Sequence, residues 1–471
     1  VRAFSALAAA WLALLVLPST AQPWDAAGRG LLQTRLETTF AAPIFADAGI
    51  EVLDASGQPL FERNARTPLT PASTLKVLTA SAALNRLGPE FRAATRFSAL
   101  APPAGGRVAG PLWLIGGGDP YLTRDDLRNG VAVLARSGVR SVAGPLLVDD
   151  SLFAGPEINP HWDPGDVDGG FAAPLSAVAL DQGTVEVHVT GTADGAPARV
   201  SFVPLSHPFA ITQAPLTRFN ASGAIDFVPD GDPKLHGFAI TGAVSPGVTG
   251  RLWLPVRDLG RYAGAVAAAM LAQTGIALQA NVSRALAPLV SVTLWEHRSP
   301  PLARMLKETL THSNNHAADT IVRLLGASGG IPGTDDGGVE AVLAELGKLG
   351  VDTSGLRLYD GSGLSPADRV TALALAQTVR AELLSPAGPA FLNALPLVGK
   401  EGTVKNREVQ DALGRARAKT GHLQGVDALA GTVLTRHHGR VSFAFIKNGP
   451  DAWAGTVETA QDDAIEALAD F

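Results

Sequence analysis

The chain has 471 residues, 46% of them hydrophobic and 17% charged, with a formal charge of −6. This is the balance of a globular protein with length for about two to four domains. The absence of any dense Lys/Arg run excludes a broad nucleic-acid-binding surface, and the complete lack of cysteine excludes disulfides, thiol catalysis and thiolate metal sites.

At the start, Arg2 precedes an apolar run from Ala3 to Leu17, followed by PSTAQP. Small residues at Ser19 and Ala21 suit cleavage before Gln22, so residues 1–21 read as a secretory signal peptide. The apolar run is short of the roughly 20 residues a membrane span needs. Residues 49–63, GIEVLDASGQPLFER, read as a hairpin around a Ser-Gly turn. A helix follows from Pro71, carries Leu75, Val77, Leu78 and Leu84, and stops at Gly88-Pro89. From about residue 93 short strands alternate with turns and one helix, LTRDDLRNGVAVLARSG. From about 158 to 251 the pattern is nearly all strand and turn. Helices return near 258–275 and 301–326, and the last third holds paired strands and a terminal amphipathic helix, DAWAGTVETAQDDAIEALADF. No internal repeat occurs. The simplest architecture is a helix-and-sheet domain split in sequence by a β-rich insertion.

Lysine is out of place on the apolar face of the helix at 71–87. Ser73 and Lys76 are three residues apart and point the same way, which puts a hydroxyl beside an amine. A serine needs a base to become a nucleophile, and a lysine with its ordinary pKa near about 10.4 is protonated at neutral pH. Burial and a second cation both disfavour the ammonium. Two later motifs supply partners: Ser313-Asn314-Asn315 near a helix start and Lys419-Thr420-Gly421 on a strand. On this reading Lys76 is the general base, and Lys419 is its electrostatic tuner and an anchor for an anion. Ser313 carries a proton toward a leaving amine, and Asn315 holds Lys76 and orients a substrate amide. Thr420 and Lys419 bind a terminal carboxylate, Gly421 lets substrate approach the backbone, and the N–H groups of Ser73 and His422 face the oxyanion.

This ordered set is that of active-site-serine penicillin-binding proteins and β-lactamases. With PASTLK, IGGGDPYL, LLVDDSLF, APLSAVALD, YDGSGLS, LPLVGKEGTVKNR and AKTGHLQGVDALAG, the chain resembles the class C low-molecular-weight penicillin-binding proteins, the D-alanyl-D-alanine carboxypeptidase/endopeptidase family. The resemblance covers essentially all of the chain after residue 21. It implies an α+β fold: a penicillin-recognising transpeptidase-like domain, with an antiparallel sheet flanked by helices, split by two nested insertion domains rich in strand. The expected division is 22–92 with 286–471 for the catalytic domain, 93–157 with 252–285 for insertion domain II, and 158–251 for the nested domain III. It further implies a serine hydrolase of peptidoglycan stem peptides, exported to the periplasm or cell envelope, covalently inhibited by β-lactams and needing no cofactor or metal. The chain departs from the common pattern at Asn314, where aspartate is frequent, and at His422, where threonine is. Two alternatives stand beside this: a β-lactamase-like hydrolase, and a non-catalytic wall-binding protein on the same fold.

INPHWDPGDVDGGFAAPLS lies where the inserted domains should meet the cleft. There Trp162 and Phe171 offer aromatic walls, and Asp163, Asp166 and Asp168 offer carboxylates for an amine on the stem peptide. Other motifs have plainer readings. Gly326-Ala327-Ser328-Gly329-Gly330 matches a nucleophile elbow but follows a helix. His312 and His316 lack the glutamate of a zinc-peptidase helix. Gly116-Gly117-Gly118-Asp119-Pro120 lacks a phosphate-loop lysine and reads as a turn. Asp360 is either a support of the site or a turn residue.

Overall fold

The computed structural model describes residues 22–203, 210–221, 225–229, 237–278 and 281–471. The expected signal peptide, residues 1–21, lies outside them.

The first and last parts of the chain build one unit. Asp25 caps α1 (Ala26–Thr39) by accepting from the Gly28 N–H at 2.7 Å. The expected hairpin forms from β1 (Gly49–Leu53) and β2 (Pro59–Arg63). Its turn closes on the Asp54 carboxylate, which accepts from Ser56 Oγ and Gln58 N. A 3₁₀ turn, Ala72–Thr74, leads into α2 (Leu75–Leu87), which ends at Gly88. After a long excursion come α3 (Leu302–His312), α4 (Asn315–Ala327), α5 (Asp335–Lys348) and α6 (Ala372–Leu384). Then come β3 (Ala416–Leu423), β4 (Val426–Leu434) and β5 (Arg440–Asn448), and α7 (Gly455–Asp470). Strand order is β3-β4-β5-β1-β2, antiparallel throughout.

Both faces of this sheet are covered, so its inner strands are buried almost end to end. Alternation then sorts large from small residues rather than apolar from polar. Leu429, Val433, Phe443 and Phe445 face α1 and α7, whereas Ala428, Ala430 and Ala444 face α2 and its neighbours. Those alanines let α2 lie close on the sheet, which brings Ser73 to β3.

The excursion starts and ends at one neck, where Ala93 N donates to Ser299 Oγ at 3.0 Å and Ser299 N to Ala93 O at 2.9 Å. Beyond it lies a five-stranded sheet of strands 283–284, 146–149, 112–115, 94–99 and 292–298, in that order. Helices Arg124–Arg136 and Leu259–Gln273 share its core. The stretch from 184 to 255 adds smaller sheets, among them Thr184–Thr190 paired antiparallel with both Arg199–Val203 and Thr249–Pro255. Strand Val292–Arg298 pairs with Ala94–Ala99, so we propose that the inserted unit runs on to the neck at Ser299 rather than ending at residue 285.

Candidate active site

The turn before α2 is shaped by its surroundings. Ala72, ahead of Ser73, takes a left-handed conformation at φ +46°, which a non-glycine residue adopts only at some cost. Two glycines press on it. A Cβ at Gly363 (φ +76°) would stand 1.9 Å from Ala72 O, and one at Gly421 would stand 2.6 Å from Pro71 O and 3.1 Å from Ser73 N. The missing side chain of Gly421 also admits the Ser73 turn to β3.

Lys76 is fully buried, and its Nζ has three close oxygens: Ser73 Oγ at 2.9 Å, Asn315 Oδ1 at 2.7 Å and the Ser362 carbonyl at 2.7 Å. An ammonium donates to all three. A neutral amine donates to two and accepts the Ser73 O–H, the state a general base needs. Burial pulls the Lys76 pKa down to about 8, against the pull of Asp319, Asp360 and Asp368 in the other direction. Asp319 and Asp368, both buried, are pushed well above the carboxylate range by burial and by neighbouring carboxylates.

Lys419 is also fully buried, with Nζ donating to Thr420 O at 2.7 Å, and burial plus the charge of Lys76 holds its pKa well below an ordinary lysine. Burial is the main lever on both lysines, and the charge of Lys76 adds to it at Lys419. Thr420 Oγ1 donates to Thr403 Oγ1 at 2.7 Å. Thr403 was not singled out in the sequence, although it lies in the quoted segment LPLVGKEGTVKNR.

Ser313 terminates α3 in a left-handed conformation (φ +55°), and Asn314 caps α4, its Oδ1 accepting from Ala317 N at 2.9 Å. That capping function explains how asparagine serves at position 314. Asn315 Nδ2 reaches Phe171 O at 3.0 Å. His422 Nε2 meets Asp427 Oδ2 at 2.9 Å, and Asp427 is itself held by Gln461 Nε2 at 2.7 Å, so the imidazole is tethered to one side.

Ser73, Ser313, Asn315 and His422 open onto one cavity of about 720 Å³. Asp163, Asp166 and Phe171 line the same cavity. Trp162 and Asp168 are placed elsewhere. Trp162 is buried, its Nε1 donates to Asp360 Oδ2 at 3.0 Å, and it does not wall the cavity. Asp168 pairs with Arg257 at 3.0 Å. Asp360 also accepts from the N–H groups of Ser362, Gly363 and Ser365. Away from this cavity, Ser328 closes α4 by donating to Leu325 O, as a helix end. His312 is exposed while His316 is buried.

A sequence model of the D-Ala-D-Ala carboxypeptidase 3 (S13) family matches residues 32–470. The D-alanyl-D-alanine carboxypeptidase of Actinomadura sp. (strain R39) is 32% identical, over 97% of this chain and 89% of the relative. Carboxypeptidase DacB of Mycolicibacterium smegmatis is also 32% identical, over 93% of this chain and 83% of the relative. Among solved structures, penicillin binding protein 4 (dacB) from Haemophilus influenzae superposes with a TM-score of 0.80 at 25% identity, covering 92% of this chain and 98% of that one. The fold is the α+β penicillin-recognising type expected from the sequence.

Proposed function

The chain belongs to the D-Ala-D-Ala carboxypeptidase 3 (S13) family, and from that premise we propose that this serine-type DD-carboxypeptidase works through an acyl-enzyme on Ser73. The observation that carries the reading is the Lys76 amine, buried and 2.9 Å from Ser73 Oγ. Neutral Lys76 takes the Ser73 proton as Oγ attacks the carbonyl between the two terminal D-alanines. The developing oxyanion faces the N–H groups of Ser73 and His422. The C–N bond then breaks, and the proton reaches the leaving amine by way of Ser313, with Lys419 behind it. Water attacks the acyl-enzyme and regenerates Ser73.

The terminal carboxylate is assigned to Lys419, Thr420 and His422. The Thr403–Thr420 hydrogen bond can reverse, so that Thr420 accepts from Thr403 and donates to the carboxylate. At the other end of the cavity, Asp163 and Asp166 are assigned to an amine on the stem peptide, with Phe171 beside them. Cross-linked peptides place an amine-bearing chain where free termini place D-alanine, so endopeptidase action is part of the same proposal. The working site is the peptidoglycan of the cell envelope, and β-lactams, which mimic the scissile amide, acylate Ser73. A fluorescent-penicillin gel tests this directly. The parent protein gives a covalent band and Ser73→Ala gives none while keeping its thermal transition; a band in Ser73→Ala places the nucleophile elsewhere.

A further inference from the structure

The cavity wall carrying Asp163 and Asp166 is fastened at both ends to the partners of Lys76. At its start, four contacts clasp residues 159–162 to the loop 359–365. Asn159 Nδ2 donates to Tyr359 O at 2.7 Å, and the His161 ring packs on Tyr359 with centroids 4.2 Å apart. Ser365 Oγ donates to His161 O at 3.0 Å, and Trp162 Nε1 donates to Asp360 Oδ2 at 3.0 Å. Asp360 in turn gathers the loop's N–H groups, which turns the Ser362 carbonyl onto Lys76 at 2.7 Å. At the wall's end, Phe171 O receives Asn315 Nδ2 at 3.0 Å, and Asn315 Oδ1 receives Lys76 at 2.7 Å. Two of the three oxygens on the amine are therefore set by the segment that meets the substrate.

We propose that residues 159–171 couple recognition to chemistry, with Trp162 as a positioning residue that holds Lys76 through Asp360 and the Ser362 carbonyl. The inference rests on the reading of Ser73 as nucleophile and Lys76 as base. Trp162 touches no reacting atom; its indole N–H steadies a buried carboxylate, and that carboxylate steadies the loop. Losing that hydrogen bond to a charged group disturbs the amine's setting without emptying the pocket.

Trp162→Phe removes the N–H and keeps a large aromatic side chain. The acylation rate constant with a fluorescent penicillin is measured against pH by stopped flow, normalised to the acylated fraction found by intact mass so that misfolded protein does not count. Peptide kcat and KM are measured with and without the stem-peptide amine. The expected result is an acylation rate constant lower by about tenfold at its alkaline plateau, with the rise toward that plateau displaced to lower pH, because a Ser362 carbonyl no longer held on the amine favours the Lys76 ammonium less. The peptide amine is expected to raise kcat in the parent and to improve only KM in the variant. A variant with the parent's rate and pH profile overturns the proposal. So does a slower variant whose profile keeps the parent's midpoint and whose kcat still responds to the amine, since that is a packing defect alone. A parent protein that forms no adduct on Ser73 refutes the underlying assignment of the nucleophile instead.

Discussion

Acylation of Ser73 should follow the neutral fraction of Lys76, and pH alone is the perturbation that reads it. With a pKa of about 8, the amine is about 10% neutral at pH 7 and about 90% neutral at pH 9. The second-order acylation rate constant should therefore rise roughly tenfold over those two units and level off above. The sign follows from the form that reacts: raising pH deprotonates Lys76, and only the deprotonated amine can take the serine proton. Stopped-flow measurement with a fluorescent penicillin from pH 6 to 9.5 isolates this step from deacylation. Labelling a structural control, such as unfolding monitored at each pH, separates titration from denaturation. A profile flat from pH 6 to 9 would show that Lys76 is not the base. A rise that is still roughly tenfold per pH unit at pH 9.5, as an ordinary lysine value of about 10.4 demands, would show that burial does not depress it.

Lys76→Arg should lose acylation almost entirely, since a guanidinium does not release its proton. Lys419→Arg should keep partial activity; equal and full activity in both, read by D-alanine release, refutes the base assignment. Asp163→Ala and Asp166→Ala should narrow the difference in kcat/KM between peptides with and without the stem amine by about 2–5 kcal/mol in total if the pair binds it desolvated. Asp168→Ala, already paired with Arg257, should leave that difference unchanged. Glu51 is buried, neither of its carboxylate oxygens has a hydrogen-bond partner among the described residues, and burial with Glu62 nearby pushes its pKa up to about 8. Its raised folded value means that stability is full below the unfolded value and is lost as pH climbs through about 8. Glu51→Gln, neutral at every pH, should match the parent near pH 4.5 and exceed it by on the order of 4 kcal/mol at pH 8 in urea titrations. An equal gap at both pH values refutes a protonated Glu51.

Local spacing made much of the site legible. Ser73 and Lys76 share a helix face, Asn315 lies near a helix start, and Lys419 to Gly421 sit on a strand, each readable within a short window. What stayed hidden depends on contacts across the chain. Trp162 looked like a cleft wall because an aromatic beside three aspartates suggests recognition; its partner Asp360 is 198 residues away. The second role of Gly421, making room for the Ser73 turn, was hidden because that turn lies some 350 residues earlier. The burial that depresses Lys76 is legible in its place on an apolar helix face, whereas the Asp319, Asp360 and Asp368 carboxylates that oppose it come from distant segments. The pairing behind the proposed extension of the inserted unit was hidden in the same way: nothing in Val292–Arg298 tells which sheet it joins.

The neck at Ala93 and Ser299 has a consequence for the timing of assembly. β1 pairs with β5, and Leu53 opposite Ser442 are 442 − 53 = 389 residues apart. Ser73 and Lys419 are separated by 419 − 73 = 346 residues. At a synthesis rate of about 5–20 residues per second, the nucleophile precedes its second lysine by roughly 20–70 s. The inserted stretch, whose strands find partners between 94 and 298, can settle in that interval and bring its two ends together. This closes most of the long loop that β1 and β5 would otherwise have to close, at a logarithmic entropy cost. A chain cut short before β5 leaves β1 without its neighbour and keeps Lys76 outside a finished core. On the proposed mechanism the amine of such a chain stays protonated and the serine inert, which ties hydrolytic capability to the last strand.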